Sequence, residues 1–258
     1  MIFDTHAHYD DEAFDEDRES LIDSLKDNGI VRVVNVGADL KGSKASVELA
    51  DKYDFIYAAV GVHPDNINEV NDEGVAVLKE LSKNKKVVAI GEIGLDYYWS
   101  KDNTELQKEA FARQIELARE LSLPIIIHSR DAAKDTMDIL KEKDASSVGG
   151  VMHCFSYSTE IAKEVVDMGL YIGVGGVVTF KNGKKLREAL LEVPLEKIIL
   201  ETDCPYLAPE PNRGKRNSSL NLPYVVKAIA EIKGVSIEEV MNTTYNNACR
   251  MYHINNEE

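Results

Sequence analysis

The histidines of this sequence stand where they could bind metal. Five of the six end or closely follow a short apolar segment, namely His6, His8, His63, His128 and His153. Imidazole is the commonest metal-binding side chain, and residues i and i+2 of a strand point to the same side, so His6 and His8 would converge. Glu92 and Asp203 stand at the ends of two further apolar segments. We predict that these residues build a metal centre.

Eight short segments rich in β-branched residues are predicted to be strands. Several are continuously apolar, such as VVAIG, PIIIH and IILET, which is typical of parallel strands covered on both faces. The predicted strands are Met1–Thr5, Arg32–Val36, Phe55–Val62, Val87–Gly91, Pro124–His128, Gly149–His153, Leu170–Gly175 and Ile198–Thr202.

Amphipathic helical segments alternate with these strands. The clearest is Glu105–Leu121, and Gly29 and Gly169 follow two helix ends as stop signals. The other predicted helices are Arg18–Lys26, Lys44–Lys52, Gly74–Ser82, Ala132–Lys143, Thr159–Met168, Lys184–Leu191, Pro223–Lys233 and Ile237–Tyr252. Strands and helices in alternation predict an α/β fold, a (β/α)8 barrel of the TIM type, with an open doubly wound sheet as the competing architecture. No repeat or proline-rich linker divides the sequence, so residues 1–258 are expected to form one hydrolase domain.

The barrel prediction explains how residues so far apart in sequence could meet. In a parallel barrel the carboxyl ends of all strands lie on one rim, and that rim carries the chemistry. Taken singly, a strand-end histidine is more often a hydrogen-bonded structural residue, Glu92 could pair with a nearby basic residue, and Asp203 could cap a turn. The repeated placement on one predicted rim favours a joint site.

The predicted ligands are more numerous than one tetrahedral ion needs. Four imidazoles and two carboxylates suit two ions bridged by a carboxylate, about 3.5–4 Å apart. Such a pair activates water, and Asp203 could take the proton from that water. His63, in the segment GVHPDN, could contact a substrate oxygen instead of a metal.

Composition limits the class of protein. A net charge of −15 argues against a protein that coats nucleic acid with a broad basic surface, but not against an enzyme that holds a few phosphates with metal ions and local arginines. No apolar segment approaches the roughly 20 residues needed to cross a bilayer, and the first residues do not resemble a secretory signal. We expect a cytoplasmic protein without a membrane partner or an obligate protein partner. The three cysteines are expected to be buried free thiols.

Six motifs, in this order and spacing, resemble the TatD family of metal-dependent deoxyribonucleases, within the amidohydrolase-like barrels. They are FDTHAH, GVHP, GEIGLDYY, PIIIHSRDA, HCFS and ETDCPYLAP. The resemblance spans the chain from Phe3 to about Arg216. It implies cleavage of DNA from the 3′ end, preferentially of single strands.

The resemblance also implies a ligand set. One metal ion would lie at His6, His8, Glu92 and Asp203, and a second at Glu92, His128 and His153, with Glu92 bridging the two. Imidazole ligands suit zinc, manganese, iron or nickel, whereas the family is usually described as magnesium-dependent. We therefore expect two divalent ions, with Mg²⁺, Mn²⁺ and Zn²⁺ as candidates.

Two arginines are predicted to contact the substrate. Arg130, two positions beyond His128, could hold a phosphate oxygen or pair with Asp131 or Asp135. Arg213 lies in the most basic stretch of this acidic sequence, and its place after the last strand favours a phosphate contact.

The segment after Glu92 contains further candidates. Tyr97, Tyr98 and Trp99 could stack on unpaired bases, but packing of a loop onto the barrel is the preferred interpretation. Asp96 could orient a ligand or cap that loop.

Three functions are compatible with these residues. The first is a two-metal phosphodiesterase that acts on DNA ends, as a 3′-to-5′ exodeoxyribonuclease. The second is an ester or amide hydrolase of the same superfamily, such as a D-aminoacyl-tRNA deacylase. The third is a metal-binding partner protein without catalysis, against which the full ligand set and Asp203 argue.

Overall fold

Eight parallel strands form a single sheet in the computed structural model, which describes residues 1–99 and 101–255. Each strand pairs with the next one along the chain. The strands are β1 (Ile2–Ala7), β2 (Ile30–Val36), β3 (Ile56–Val60), β4 (Val87–Asp96), β5 (Ile125–Arg130), β6 (Gly150–Met152), β7 (Tyr171–Val174) and β8 (Ile198–Leu200).

The helices lie between the strands and after the last one. They are α1 (Arg18–Leu25), α2 (Leu40–Lys52), α3 (Asp72–Leu81), α4 (Thr104–Leu121), α5 (Ala133–Glu142), α6 (Thr159–Asp167), α7 (Lys184–Glu192), α8 (Leu222–Lys233) and α9 (Ile237–Met251). Short 3-10 helices span Glu12–Phe14, Lys26–Asn28, Pro64–Glu69, Lys101–Asn103, Ala145–Ser147, Gly176–Thr179, Leu195–Lys197 and Ser219–Asn221. In the described part of the chain, none of the helices combines the length and the apolarity needed to cross a bilayer.

The two edges of the sheet meet and close it. An isolated parallel bridge joins Ala7 to Cys204, and the amide of His8 donates to the carbonyl of Cys204 at 2.9 Å. The amide of Asp203 donates to the carbonyl of His6 at 2.9 Å. The (β/α)8 barrel is therefore confirmed, and the open doubly wound sheet is excluded because its strand order would reverse at a switch point. That the chain forms a single domain stays a prediction.

The predicted elements are confirmed, with differences at their ends. The largest difference among the helices is at α2, which begins at Leu40 because the side chain of Asp39 accepts a hydrogen bond from the amide of Gly42 and caps it. Among the strands, β4 continues to Asp96 instead of ending at Gly91. Glu92 therefore lies within a strand rather than at its end, beside a register irregularity between β4 and β5.

Alternate residues of the strands pack into two apolar clusters. Ile125 and Ile127 belong to the larger cluster, which includes residues of the surrounding helices, whereas Ile126 belongs to the smaller one. The smaller cluster also contains Phe3 of β1 and Tyr245 of α9. Because successive strand side chains point to opposite faces, the smaller cluster fills the barrel interior and α9 covers its amino-terminal end. The carboxyl-terminal rim is left for polar residues.

Asn35 of β2 is fully buried and holds the loop that follows β1. Its Oδ1 accepts a hydrogen bond from the amide of Tyr9 at 2.6 Å. Its Nδ2 donates to Asp10 Oδ1 at 2.7 Å and to Ser46 Oγ at 2.9 Å. These bonds tie the segment that carries His8 to β2 and α2.

We expect Asn35→Ala to lower the free energy of unfolding by about 1–3 kcal/mol, because the amide of Tyr9 would be left buried without a partner. Urea denaturation of both proteins measures the difference. Asn68→Ala is the matched control, since Asn68 is exposed. An equal loss of stability in the two variants would contradict this role of Asn35.

Candidate metal centre

An open cavity of about 610 Å³ lies at the carboxyl-terminal rim of the barrel. Most of the predicted site residues line it, and His6 lies buried against them. The lining of the cavity includes His8, Asp10, Asp11, His63, Asp65, Glu92, Asp96, Trp99, His128, Arg130, His153, Asp203 and Tyr206. Residues separated by almost the whole chain thus meet on one rim.

Four side chains converge at one end of this cavity. The two Nε2 atoms of His6 and His8 are 3.1 Å apart, and Asp203 Oδ1 lies 3.8 Å from the first and 3.4 Å from the second. Glu92 Oε2 lies 3.4 Å from His6 Nε2 and 3.9 Å from His8 Nε2. Neighbouring ligands of a tetrahedral ion with bonds near 2.0–2.2 Å stand about 3.3–3.6 Å apart. Ligand atoms of His6, His8 and Asp203 lie within 4.8 Å of one another and could hold a divalent ion, with Glu92 Oε2 beside the two histidines.

The other oxygen of Glu92 faces a second group of imidazoles. Glu92 Oε1 lies 2.7 Å from His128 Nδ1 and 2.9 Å from His153 Nε2. His63 Nε2 is further away, at 4.0 Å from the same oxygen. Nitrogen and carboxylate donors of this kind suit zinc and other divalent metals. The two oxygens of one carboxylate thus face two separate groups of donors.

Two of the imidazoles are oriented by hydrogen bonds outside the cluster. His8 Nδ1 lies 2.7 Å from the carbonyl oxygen of Val36, so this nitrogen carries a proton and, in the neutral ring, Nε2 has the lone pair. His128 Nε2 lies 3.1 Å from Asp96 Oδ2, which orients Nδ1 toward Glu92. A partner on the other ring nitrogen is the usual device that fixes the tautomer of a metal-binding histidine.

The charges of the cluster shift its pKa values strongly. Burial would raise the pKa of Glu92, but the nearby imidazoles, His153 first among them, outweigh burial and hold it well below its usual range. Burial would lower the pKa of His8, but hydrogen bonding to Asp203 and the charges of Asp203 and Glu92 raise it to about 9. Burial would also lower the pKa of His128 and of His153, but neighbouring carboxylates raise both, Asp96 and Glu92 for His128 and Glu92 and Glu201 for His153.

His63 lies at the cavity but is further from Glu92 than His128 and His153 are. Its Nδ1 lies 3.2 Å from the amide nitrogen of Asp65 and 3.3 Å from Asp65 Oδ2, so the neutral ring can carry its proton on either nitrogen. Its Nε2 lies 4.0 Å from Glu92 Oε1 at the cavity. His63 also belongs, with Glu92 and His128, to one of the groups whose atoms lie within 4.8 Å of one another. Its predicted contact with a substrate oxygen stays a prediction.

Asp203 has backbone angles that only a few residue types adopt readily. Its φ is 56°, in the left-handed region, where aspartate is enriched over most residues other than glycine. The preceding residues leave β8 at Leu200, and the amide of Asp203 then bonds to the carbonyl of His6. This turn brings the carboxylate beside the two histidines of the first strand.

Asp96 both orients a ligand and caps the loop after β4. While Oδ2 contacts His128, Oδ1 accepts hydrogen bonds from the amides of Tyr98 and Trp99 at 2.8 and 2.9 Å. The preferred interpretation that this aromatic cluster packs onto the barrel holds only for Tyr97, whose hydroxyl donates to Asp135. It is wrong for Tyr98 and Trp99, which are 50% and 68% exposed, because the cap turns the chain outward at the mouth of the cavity.

The two predicted substrate arginines lie in different surroundings. Arg130 lines the cavity and its guanidinium lies 4.1 Å from the ring centre of Tyr98. Within residues 1–99 and 101–255 it forms no ion pair with Asp131 or Asp135. Arg213 is exposed, stacks on Phe180 at 4.3 Å and does not line the described cavity.

Glu201 is a buried residue near the site that the sequence analysis did not single out. It is 1% exposed, and Glu201 Oε1 lies 3.5 Å from His153 Nδ1. A signal for Glu201 was present in the sequence. Glu201 and Asp203 are two positions apart, the spacing that predicted the convergence of His6 and His8. The expectation of buried thiols is confirmed for Cys204 and Cys249.

The expectation is wrong for Cys154, which is half-buried. The expectation assumed that the extended backbone of β6 continues to Cys154, but the φ of Cys154 is 45°, which is not a strand conformation. The pKa of the Cys154 thiol is raised to about 12, chiefly by burial, so the thiol stays protonated.

A parallel eight-stranded barrel with histidine and carboxylate clusters able to bind metal at its rim defines a metal-dependent hydrolase of the TIM-barrel class. Comparison with known proteins agrees. The profile of the family described as "TatD related DNase" matches residues 3–253. The chain belongs to this family and is one of its metal-dependent hydrolases.

Relatives cover the whole chain. A Bacillus subtilis protein named "uncharacterized metal-dependent hydrolase YabD" is 49% identical over 255 residues, which are 99% of this chain and 100% of that protein. A Cronobacter sakazakii protein named "3′-5′ ssDNA/RNA exonuclease TatD" is 34% identical over 257 residues, 97% of each chain. The crystal structure of YjjV, a TatD homologue from Escherichia coli, superimposes with a TM-score of 0.92 at 29% identity and covers 98% of both chains.

We expect the affinity of the metal-free protein for Zn²⁺ to rise between pH 6.5 and 9. A metal ion must displace the proton from His8, whose pKa is raised to about 9, so affinity rises by about tenfold per pH unit for each displaced proton. The folding stability of the metal-free protein should depend on pH in the opposite direction. The stability that protonated His8 contributes is present below pH 6.5 and is lost as the pH rises through about 9.

Calorimetric titration with Zn²⁺ in buffers of different ionisation enthalpy measures both the affinity and the protons released. His253→Gln is the control, because His253 is exposed and does not line the cavity. An affinity independent of pH over this range would contradict the prediction.

Proposed function

We propose that this protein is a two-metal phosphodiesterase that removes nucleotides from the 3′ end of single-stranded DNA. The observation that carries the proposal is the position of Glu92, whose two oxygens face two separate groups of donors. A carboxylate that bridges two ions about 3.5–4 Å apart is typical of enzymes that cleave phosphate esters.

We assign six residues as metal ligands. The first ion would be held by His6, His8, Glu92 and Asp203, and the second by Glu92, His128 and His153. The convergence of these donors on Glu92, its buried position and the outside hydrogen bonds of His8 and His128 support the assignment. At 2.7 and 2.9 Å, the contacts of His128 and His153 with Glu92 Oε1 are hydrogen-bond distances, and ligands of one ion would have to move apart. Mg²⁺, Mn²⁺ and Zn²⁺ are the candidate ions. When bound, they supply Lewis-acid chemistry, which polarises a phosphoryl oxygen and makes water acidic enough to attack at neutral pH.

The cavity is lined mainly by acidic side chains, which supports the proposal that cations must bind there before DNA, a polyanion, can bind. The described lining includes six carboxylates, those of Asp10, Asp11, Asp65, Glu92, Asp96 and Asp203, and a single arginine, Arg130. Such a surface repels a phosphate backbone. The raised pKa values of His8, His128 and His153 offset part of this charge in the metal-free protein. Two divalent ions add four positive charges and displace fewer protons than that, so metal binding should still favour substrate binding.

Two side chains have the positions needed for proton transfer and substrate orientation. Asp203 is buried except for 19% of its side chain, so water in the cavity can reach it, and we assign it as the acceptor of the proton from the attacking water. We assign His63, whose Nε2 faces the cavity, as the donor of a hydrogen bond to a phosphate oxygen of the substrate. Arg130 would hold a further phosphate oxygen.

Single-stranded substrate is favoured by the exposed aromatic side chains at the rim. Trp99 lines the cavity at 68% exposure, and Tyr206 lines it at 56%. Unpaired bases stack on such rings, whereas paired bases in a duplex do not expose their faces. The 3′-to-5′ direction follows the name of the Cronobacter sakazakii relative, which is 34% identical. A cytoplasmic location, the lack of an obligate partner and a substrate contact of Arg213 stay predictions.

We expect Asp203→Asn to reduce the cleavage rate by at least about 10²–10⁴-fold, since the amide cannot accept the proton. The assay uses single-stranded DNA labelled at its 5′ end and follows stepwise shortening with Mg²⁺, Mn²⁺ or Zn²⁺ and with chelator. Asp167→Asn, at the exposed end of α6, is the matched control. No shortening by the wild-type protein with any of these ions would refute the nuclease proposal.

The same preparation also tests the rival carbonyl chemistry. Release of amino acid from D-aminoacyl-tRNA, without cleavage of DNA or RNA, would replace the nuclease proposal by the deacylase. Shortening of RNA as fast as of DNA would extend the proposal to both nucleic acids.

We expect Trp99→Ala to raise KM for single-stranded DNA by about 5–150-fold with little change in kcat, because stacking of one base is worth about 1–3 kcal/mol. Steady-state kinetics on a short oligonucleotide provides the test. Tyr224→Ala is the control, since Tyr224 is a 41% exposed aromatic residue on α8, away from the lining of the cavity. An unchanged KM in Trp99→Ala would rule out stacking on this ring.

A further inference from the structure

Three polar atoms beneath the candidate metal centre are buried and lack a hydrogen-bond partner among the described residues. They are His6 Nδ1, His153 Nδ1 and Glu201 Oε2. One ligating atom of each of these three side chains lies within 4.8 Å of the other two. Buried polar atoms are nearly always hydrogen-bonded, because an unpaired one costs about 1–3 kcal/mol. Three such atoms in one place therefore indicate a shared role.

The carboxylate of Glu201 is held in place by the strands around it. Its Oε1 accepts a hydrogen bond from the amide of Cys154 at 2.5 Å and lies 3.5 Å from His153 Nδ1. Gly173 of β7 packs directly against the other oxygen, so that a Cβ at this position would come within 2.2 Å of Glu201 Oε2. The neighbouring strand thus leaves space for this carboxylate and for little else.

The rings of His6 and His153 are oriented alike, with Nε2 of each ring facing the carboxylate of Glu92. They are stacked, with ring centres 4.0 Å apart and planes 16° apart. Both Nε2 atoms face Glu92, at 3.4 Å from Oε2 for His6 and 2.9 Å from Oε1 for His153. Nδ1 is therefore the nitrogen that each ring has left for a second partner.

A third metal ion between these residues is chemically disfavoured. With both Nε2 atoms already assigned to ions, ligation through Nδ1 would require each imidazole to lose both of its protons. A hydrogen bond from each Nδ1 to the carboxylate requires no such loss and satisfies all three atoms. The distance of 3.5 Å from His153 Nδ1 exceeds a normal hydrogen bond, and a small movement of either group makes it.

We propose that Glu201 is a positioning residue shared by both halves of the metal centre. Its carboxylate accepts one hydrogen bond from Nδ1–H of His6, which serves the first ion, and one from Nδ1–H of His153, which serves the second. This holds both rings in the tautomer whose Nε2 lone pair faces Glu92 and makes both nitrogens stronger ligands. The inference rests on the ligand set of the proposed function and is independent of the substrate.

Metal affinity measured without substrate tests this role. Zn²⁺ is titrated into metal-free protein against a chromophoric chelator, and the number of bound ions and their affinities are compared between wild type and Glu201→Gln. The amide keeps the shape but cannot accept two N–H groups, so at least one ion should bind about 10–100-fold more weakly. Glu196→Gln, an exposed glutamate after α7, is the matched control and should bind as wild type does.

Two outcomes would overturn the proposal and are separable from failure of the proposed function. Folded Glu201→Gln that binds both ions with wild-type affinity refutes the role of Glu201 alone. Wild-type protein that binds no divalent ion refutes the proposed function, and this inference with it.

A second measurement uses only the wild-type protein, in case the variant does not fold. Nitrogen-15 NMR of the histidine side chains in the Zn²⁺-loaded protein should show Nδ1 protonated in both His6 and His153. A deprotonated Nδ1 in either ring, or a crystal structure with Zn²⁺ bound to Glu201, would contradict the assignment.

Discussion

The site depends on one buried carboxylate that is surrounded by imidazoles. Glu92 is 4% exposed, and burial of an isolated charge at this depth would be strongly unfavourable. The nitrogens of His128 and His153 at 2.7 and 2.9 Å offset that penalty and hold the pKa of Glu92 well below its usual range. The imidazoles come from the ends of three strands, β1, β5 and β6, so the carboxylate is stable only when the whole rim is assembled. The same need for cationic or metallic partners makes this residue suitable to join two ions.

A surrounding layer of hydrogen bonds orients the groups that contact Glu92. The carbonyl of Val36 holds His8, and Asp96 holds His128. Asp4, fully buried in β1, accepts hydrogen bonds from Ser219 and Thr202, and burial raises its pKa to about 7 despite them. These polar residues join β1 to the segment after β8 at the closure of the barrel. The residues that orient the predicted ligands therefore lie on the strands, or on the segments next to them, that form and close the barrel.

Much of this arrangement could be predicted from periodicity and composition. Continuous apolar segments such as PIIIH and IILET indicated buried parallel strands, and all eight strands are present. The spacing of two between His6 and His8 predicted their convergence, and their Nε2 atoms are 3.1 Å apart. The extension of β4 to Asp96 could not be predicted, because it depends on pairing with β5. The outward turn of Trp99 was missed although Asp96 had been named as a possible cap, because the position of that cap depends on the extension of β4 to Asp96.

The sequence by itself determined which residue types end the strands, and with them the chemistry of histidine and carboxylate ligands. It left the strand order open between a barrel and a doubly wound sheet, and the pairing of β1 with the segment after β8 decided for the barrel. Only the tertiary structure decided how these groups share their partners. It divided the two oxygens of Glu92 between two groups of donors, turned Nε2 of His63 toward the cavity and placed Glu201 beneath two of the rings. Distances and free hydrogen-bonding positions depend on the closure of the barrel, which brings together residues that no local pattern relates.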